Sequence, residues 1–303
     1  MVTAIDFMSA DASFSIRVAL GDDAKAVRML LSTAADAMDC CLVAECGQPP
    51  RIVAVAGLTR SQRPKPLVGP GVALHVIEPC RRRGIGRALL ARLAASAAEN
   101  GAAALYATRK VELDGEEMRA WAALGFSPCE TVEYHEMPLD AFEPQLAPLH
   151  ERMRQRGKIP ATARIVPLYE ADLQEVARLH LAQLGGDPAT LSQKLRGDVP
   201  GSFAARYSRV LLVDDRVVGF ILGHRVARDV VHVDANVVAP EVRHGWANVW
   251  LKLEATRGAL QWGIKKFVFT TFDHYADTRS FTERMSGVTV RTTVLMYRPL
   301  ATL

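Results

Sequence analysis

Seven consecutive residues, Arg81-Arg82-Arg83-Gly84-Ile85-Gly86-Arg87, set four guanidinium groups around two glycines. Guanidinium groups fork onto phosphate oxygens. Glycine lets a backbone approach a ligand with no Cβ in the way. The turn lies between a predicted strand at 71–77 and a long predicted helix at 86–100, which stops at Gly101. The first N–H groups of such a helix have no partner inside it, and its dipole is positive at that end. The chemistry favoured is the binding of a phosphate or pyrophosphate. The alternative is an exposed basic turn before an ordinary helix. No Lys-Ser/Thr follows the glycines, which excludes a P-loop. The turn follows a late strand, which excludes the dinucleotide fingerprint.

The elements that must position this turn form two similar passes. In the first, a strand at 15–18 precedes a helix capped by Asp22-Asp23 with Val27, Leu30 and Leu31 at helical spacing. Strands at 41–44, 51–59 and 71–77 follow, then the long helix, a strand at 104–111, a short helix at 116–124 ending at Gly125, and a strand at 132–137. Pro144, Pro148 and Pro160 mark residues 139–161 as a linker with a basic helical stretch at 150–156. The second pass repeats the order: a strand at 163–167, a helix at 170–184 and a hairpin of 210–213 with 217–222 around Asp214-Asp215. Then come a strand at 230–238, a helix at 247–262, a strand at 266–272, a short helix near 277–285 and a final strand at 290–297. The expected domains are 12–138 and 162–303, an internal duplication. The expected fold class is α/β (α+β), with a mixed sheet and flanking helices in each half.

Composition narrows the partners. The chain has 303 residues, 49% hydrophobic and 23% charged, enough for two packed domains of about 150 residues. That composition excludes a mostly disordered chain. The net charge of +4 is mild and the basic residues are scattered outside the turn, so no nucleic-acid partner is expected. No long uncharged apolar run is present, so no membrane span is expected. The N-terminus carries Asp6 and no basic region, unlike a signal peptide. An odd count of five cysteines without a CxxC pair fits reduced thiols, no zinc site and a cytoplasmic location.

Arg81-Arg82-Arg83-Gly84-Ile85-Gly86 resembles the R/Q-x-x-G-x-G/A loop with which the GNAT acetyltransferase superfamily binds the pyrophosphate of acetyl-CoA. Trp121-Ala122-Ala123-Leu124-Gly125-Phe126 is similar to that family's Y-E-K-L-G-F segment, and the opening strand and helix at 16–31 fit too. Val238-Ala239-Pro240-Glu241-Val242-Arg243-His244-Gly245-Trp246-Ala247 looks like a worn second copy, with Val242 where Arg or Gln is expected. The resemblance implies two tandem GNAT-like domains, each with a mostly antiparallel sheet and a splayed central strand pair. It implies acetyl transfer to an amine, with acetyl-CoA bound by the first domain through Val76, Ile77, Arg81, Arg82, Arg83, Gly84, Ile85, Gly86 and Arg87. A backbone N–H near Val76 would meet the thioester carbonyl.

The chain departs from the pattern at Trp121, which stands where the family's acidic Tyr is expected; indole cannot donate that proton. Tyr106 or Tyr134 are the substitutes within the same half. His75 and Glu112 are the candidate bases, His75 for its intrinsic pKa. Cys80 lies beside the arginines, which lower a thiol's pKa, but it is read as incidental.

In the second half, strict alternation over 230–238 would place His232, Asp234 and Asn236 on one face and Val231, Val233, Ala235 and Val237 on the other. That polar stripe is a candidate substrate site; a structural network or a homodimer contact is the other reading. Residues 269–275 and 277–279 are expected to line the pocket. The expected function is acetyl-CoA-dependent N-acetylation of a small-molecule amine. A non-catalytic acyl-CoA-binding scaffold and a protein-lysine acetyltransferase are the alternatives.

Overall fold

The computed structural model describes residues 14–63, 66–242, 245–272, 280 and 282–300. The elements of the first half are β1 (Phe14–Val18), α1 (Ala24–Leu31), β2 (Met38–Cys46), β3 (Arg51–Arg63), β4 (Gly69–Val76), α2 (Ile85–Glu99), β5 (Ala104–Ala107), β6 (Val111–Glu112), α3 (Glu116–Ala123) and β7 (Ser127–Pro138). Those that follow are α4 (Leu139–Gln155), β8 (Arg164–Pro167), α5 (Leu173–Leu184), α6 (Pro188–Arg196), β9 (Arg209–Val213), β10 (Arg216–Ala227), β11 (Val230–Val238), α7 (Trp246–Gln261), β12 (Lys266–Phe272) and β13 (Val288–Pro299). Among the described residues, no helix is long and apolar enough to cross a membrane.

The chain divides into two units: residues up to Thr131 together with Thr293 onward, and Val132–Thr292. In the first, β1 to β4 pair antiparallel in sequence order and β5 joins β4 in parallel. The end of β13 closes this sheet against β5, with Tyr297 opposite Tyr106, and also pairs β6. One face carries α2, whose Leu89, Leu90 and Leu93 pack with Val53, Val72 and Leu105. The other carries α1, with Val27 and Leu31 against Val43, Val55 and Ala73.

In the second unit, β8, β9, β10 and β11 run antiparallel, β12 pairs β11 in parallel, and residues 132–138 of β7 pair antiparallel with β12. The β9–β10 turn has Asp214 and Asp215 both at positive φ (49° and 61°), the geometry of a type I′ hairpin. One face packs on α4 and α7 through Leu146, Leu251 and Ala255. The other packs on α5 and α6 through Val176, Leu191 and Leu195.

Two boundaries differ from the sequence expectation. The 139–161 segment is not a linker throughout: α4 occupies most of it, with Leu139, Phe142 and Leu146 buried in the second unit's core. Its apolar stripe outweighs Pro144 and Pro148, each of which forgoes one helical hydrogen bond. The last strand is not confined to the second unit, since from Thr293 onward it belongs to the first. Of the expected short helix near 277–285, residues 280 and 282–284 are helical, and 277–279 and 281 lie outside the described residues.

Candidate active site and its second copy

β4 and β5 begin side by side and then part. Gly71 opposes Tyr106 and Val72 opposes Ala107, and the Thr108 N–H donates to Val72 O at 3.2 Å. Beyond that point no residue of β4 is paired with β5 among the described residues. The Ile77 N–H donates to Val53 O at 3.0 Å on the β3 side. By the alternation of an antiparallel ladder, Leu74 and Val76 turn their N–H and C=O groups the other way, into the opening.

The strand leads into a short turn, Glu78–Cys80, and then into α2. Arg82 and Gly84 take left-handed conformations, φ 62° and 80°. Gly84 caps α2, and the first bond inside the helix is Ala88 N–H to Gly84 O at 3.0 Å. The N–H groups of Ile85, Gly86 and Arg87 therefore precede the helical ladder and face outward as donors. A Cβ on Gly86 would touch Leu74 Cδ2 at 3.5 Å and Val76 Cγ2 at 3.6 Å, so the helix start lies directly over the strand end. Buried Ile85 holds it there. Arg82, Arg83 and Arg87 are exposed, and none makes an ion pair among the described residues. Arg81 differs: its Nε donates to Val76 O at 3.0 Å. An opened strand edge, three unladdered N–H groups and three exposed guanidinium groups offer donors and positive charge of the kind that bind phosphate oxygens.

His75 follows Ala73 on the α1 face of β4, while Val72, Leu74 and Val76 face α2. Burial, and next the Arg81 charge, hold its imidazole below the ordinary range, so it is neutral near pH 7. Glu112 is exposed at the end of β6 opposite Thr293. No hydrogen bond or ion pair joins it to His75 among the described residues. Trp121 is in the core, edge-on to Phe126 at 4.7 Å. Tyr106 is buried; its hydroxyl donates to Leu67 O at 2.5 Å and accepts from Leu67 N–H at 3.1 Å, a structural role. Tyr134 lies on the part of β7 that belongs to the second unit, opposite Thr270, so it is not in the same half as the turn. Burial pushes the Cys80 thiol up, and Arg83 offsets this only in part, so the arginines do not activate it.

The second unit repeats the parting of strands: β11 pairs β12 only from Val230 to His232. A cavity of about 220 Å³ lies there, lined by Phe142, Ile221, Val233, Phe267 and Phe269, with Asp234, Asn236 and Lys252 among its polar groups. Loss of water pushes the Lys252 ammonium down to about 7. Phe269 to Phe272 line this cavity as expected, whereas residues 273–275 and 277–279 lie outside the described residues. The copy of the turn is different. Gly245 is extended (φ −160°, ψ −144°) where Gly84 is left-handed, and α7 opens on Trp246. Arg243 and His244 lie outside the described residues.

The polar stripe does not survive intact. Leu222 opposes Ala235 and Gly223 opposes Val233, so Asp234 is the extra residue of a β-bulge. Beyond it the faces exchange. Val233 packs towards α7, whereas Ala235 and Val237 pack towards α5 and α6. Asn236 turns to α7, where its Nδ2 donates to Asn248 Oδ1 at 3.1 Å, away from His232 and Asp234. In its place the structure brings His224 and Lys194 to Asp234, at 2.5 Å from His224 Nδ1 and 3.2 Å from Lys194 Nζ. Burial raises the Asp234 carboxyl, but the His232 and His224 imidazoles and the Lys194 charge outweigh it and hold it below the ordinary range. His224 stands opposite His232 because Val226 is an extra residue in β10 (Arg225 opposes Val231 and Ala227 opposes Val230), a register with no signal in the sequence. Lys194 and Lys252 carried no sequence signal.

Residues 15–126 match the Acetyltransferase (GNAT) family model. Against curated proteins, no sequence match is found. Among solved structures, the chain is similar to a GCN5-related N-acetyltransferase from Sphaerobacter thermophilus, with TM-score 0.56 and 14% identity over 95% of this chain and 96% of that one. It is also similar to a tandem GNAT protein from the clavulanic acid biosynthesis pathway, with TM-score 0.55 and 17% identity over 95% and 99%. A glucosamine N-acetyltransferase region of a fungal multi-domain β-N-acetylglucosaminidase aligns with TM-score 0.59 and 15% identity, over 94% of this chain and 38% of that one.

Proposed function

We propose that this chain, whose residues 15–126 match the Acetyltransferase (GNAT) family model and whose fold is similar to that of a tandem GNAT protein, is an acetyl-CoA-dependent N-acetyltransferase acting on a small-molecule amine, with acetyl-CoA held by the first unit. The observation that carries this reading is the parting of β4 from β5 beyond Val72, with the parted residues Leu74 and Val76 lying against Gly86 at the start of α2, where the Ile85, Gly86 and Arg87 N–H groups precede the helical ladder.

Each residue then has a role. The Ile85, Gly86 and Arg87 N–H groups, with Arg82, Arg83 and Arg87, bind the diphosphate. Leu74 offers its N–H and C=O groups to the amides of the arm, the Val76 carbonyl being held by Arg81. The Val76 N–H donates to the thioester carbonyl oxygen, where negative charge develops as the amine attacks. Ile77 and Ile85 wall the opening. His75, neutral and on the opposite face of β4 from α2, accepts the proton that the attacking ammonium must lose, directly or through a water. The C–N bond forms, the C–S bond breaks, and CoA leaves as a thiolate that takes a proton from solvent. Trp121 and Tyr106 are committed to packing and to Leu67, so no side chain is assigned as the acid. Glu112 is exposed and assigned no step. Asp234 and Asn236 line one cavity with Lys252, a place for the amine, with the Asn236 side chain held by Asn248.

The test is thiol release from acetyl-CoA over a panel of amino acids, polyamines and amino sugars, with peptides alongside. Turnover of a free amine supports the reading. Turnover of peptides alone makes the protein a modifier of proteins, and tight acetyl-CoA binding without turnover makes it a binding module. Loss of neither binding nor turnover in Gly86→Asp would move the cofactor out of the first unit.

A further inference from the structure

On the α5–α6 face of the second unit, His224 of β10 and His232 of β11 are directly opposed across the antiparallel pair, with ring centroids 5.4 Å apart. Asp234, two residues on, brings its carboxylate to the same imidazoles. One donor atom from each of His224, His232 and Asp234 lies within 4.8 Å of the others. Ligands around a tetrahedral ion at bonds of about 2.0–2.1 Å stand roughly 3.3 Å apart. Small side-chain rotations from the present positions therefore suffice.

Two further observations point to a ligand. The three donors compete for too few partners: Asp234 Oδ2 is 2.5 Å from His224 Nδ1 but 3.6 Å from His232 Nδ1. The His232 Nδ1 atom is buried and has no hydrogen-bond partner, a cost the fold bears unless something occupies the site. The second is the arrangement around the carboxylate. Lys194 takes the other oxygen, Oδ1, at 3.2 Å and leaves Oδ2 towards the imidazoles. That is the outer contact that orients a ligating carboxylate. The side chains of His224, His232 and Asp234 keep 20%, 29% and 18% exposure, so an ion and its waters can enter.

We propose that His224, His232 and Asp234 form a binding site for one divalent transition-metal ion of the zinc class. Two imidazoles and one carboxylate suit a borderline cation rather than calcium or magnesium. Three protein ligands leave coordination positions to water or a ligand, unlike a closed structural site. The nearby Lys194 ammonium opposes the ion's charge and makes the site weaker than a closed four-ligand one. The site belongs to the second unit and does not depend on the acetyl-transfer reading of the first.

The test uses the whole 303-residue chain, stripped with chelator and titrated with Zn²⁺ and separately with Co²⁺. The expected result is one equivalent bound, a rise in melting temperature with Zn²⁺, and visible d–d absorption with Co²⁺. His224→Ala and His232→Ala should each weaken binding at least tenfold and remove the Co²⁺ band. His232→Gln, which keeps the size and polarity of the side chain, should do the same if the folding of an alanine variant is impaired. Circular dichroism establishes that each variant is folded. Binding of equal stoichiometry and affinity in His224→Ala and wild type would overturn the proposal. So would an absence of Zn²⁺ binding below millimolar concentrations in the wild type.

Discussion

Arg81 reaches back from the turn to the carbonyl of Val76, Nε to O at 3.0 Å, and so ties the first arginine of the loop to the last residue of β4. This separates it from Arg82, Arg83 and Arg87, whose side chains are exposed without ion-pair partners among the described residues. Alanine at one of the latter should weaken CoA binding about 3- to 10-fold, the equivalent of roughly 1 kcal/mol each. The loss should shrink as salt screens the exposed charges. Arg81→Ala should show less salt dependence, because what it removes is a short-range tie. Isothermal titration of CoA at 20 mM and 500 mM salt separates the two classes. Equal salt dependence for all four would mean that Arg81 leaves the carbonyl to meet the ligand.

Gly84 and Gly86 should fail for different reasons. Gly84 has φ 80° and nothing within 4 Å of where a Cβ would stand, so alanine there is strained but not crowded. The left-handed conformation costs an L-residue roughly 1–2 kcal/mol. Gly84→Ala should therefore lower the melting temperature together with CoA affinity. Gly86→Ala meets only ordinary contacts with Leu74 and Val76, so it should leave stability nearly unchanged and reduce CoA affinity by blocking backbone approach. Thermal melts run beside binding titrations distinguish them. A Gly86→Ala variant that binds like wild type would show that the ligand does not come close to that backbone.

His75 sets a pH dependence with a definite sign. A base must be deprotonated to act, so kcat/KM should rise with pH through the His75 pKa and then level. Burial and the Arg81 charge lower that pKa from 6.5, which places the inflection below 6.5. Arg81→Gln removes one of the two causes and should move the inflection upward. His75→Gln should reduce the rate about 10²- to 10⁴-fold and abolish the inflection. An inflection that persists in His75→Gln would assign it to another group or to the amine itself.

The sequence made the strand–turn–helix of 69–99 legible because three local signals agree there: an apolar run, glycines and a helix stop at Gly101. The hairpin at Asp214-Asp215 was legible from two apolar runs, 210–213 and 217–222, on either side of a polar turn. Helix α6 carries its own sequence signal: Asp187 caps it with its carboxylate on Thr190 N–H, Pro188 opens it, and left-handed Gly197 ends it. The bulge at Asp234 was not legible. No residue type there demands it, and one extra residue reverses every face assignment after it. Nor was the destination of β13 legible, because pairing with β5 joins residues nearly two hundred positions apart and leaves no local trace. Thus the strand–turn–helix around Gly84 and Gly86 could be read, while the grouping of His224, His232 and Asp234 required the register.

The β1–α1 corner should control acid stability. Asp23 accepts two hydrogen bonds from the Arg17 guanidinium and one from Leu20 N–H at 2.7 Å. Its carboxyl falls from 3.8 to about 2, chiefly through the Arg17 bond. A lowered folded-state pKa stabilises the fold above the unfolded value and loses that contribution as pH falls towards the folded one. Asp23→Asn should therefore melt below wild type at pH 7, and the two curves should converge between pH 4 and pH 2. Differences that stay constant to pH 2 would show that the carboxylate's charge is not what matters at this corner.

Trp121 poses the question of the missing acid most directly. Its side chain is only 8% exposed and packs edge-on against Phe126, so the position is part of the core rather than a wall of the opening. Trp121→Tyr would leave unfilled volume and carry a hydroxyl into apolar surroundings. A loss of about 1–3 kcal/mol is expected, seen as a lower denaturation midpoint. Restoring a phenol should not raise kcat, because solvent already protonates a leaving thiolate. Urea melts and steady-state rates on the same preparation decide the matter. A tenfold gain in kcat with a new descending limb at alkaline pH would mean that residue 121 reaches the sulfur, and that the first unit rearranges when acetyl-CoA binds.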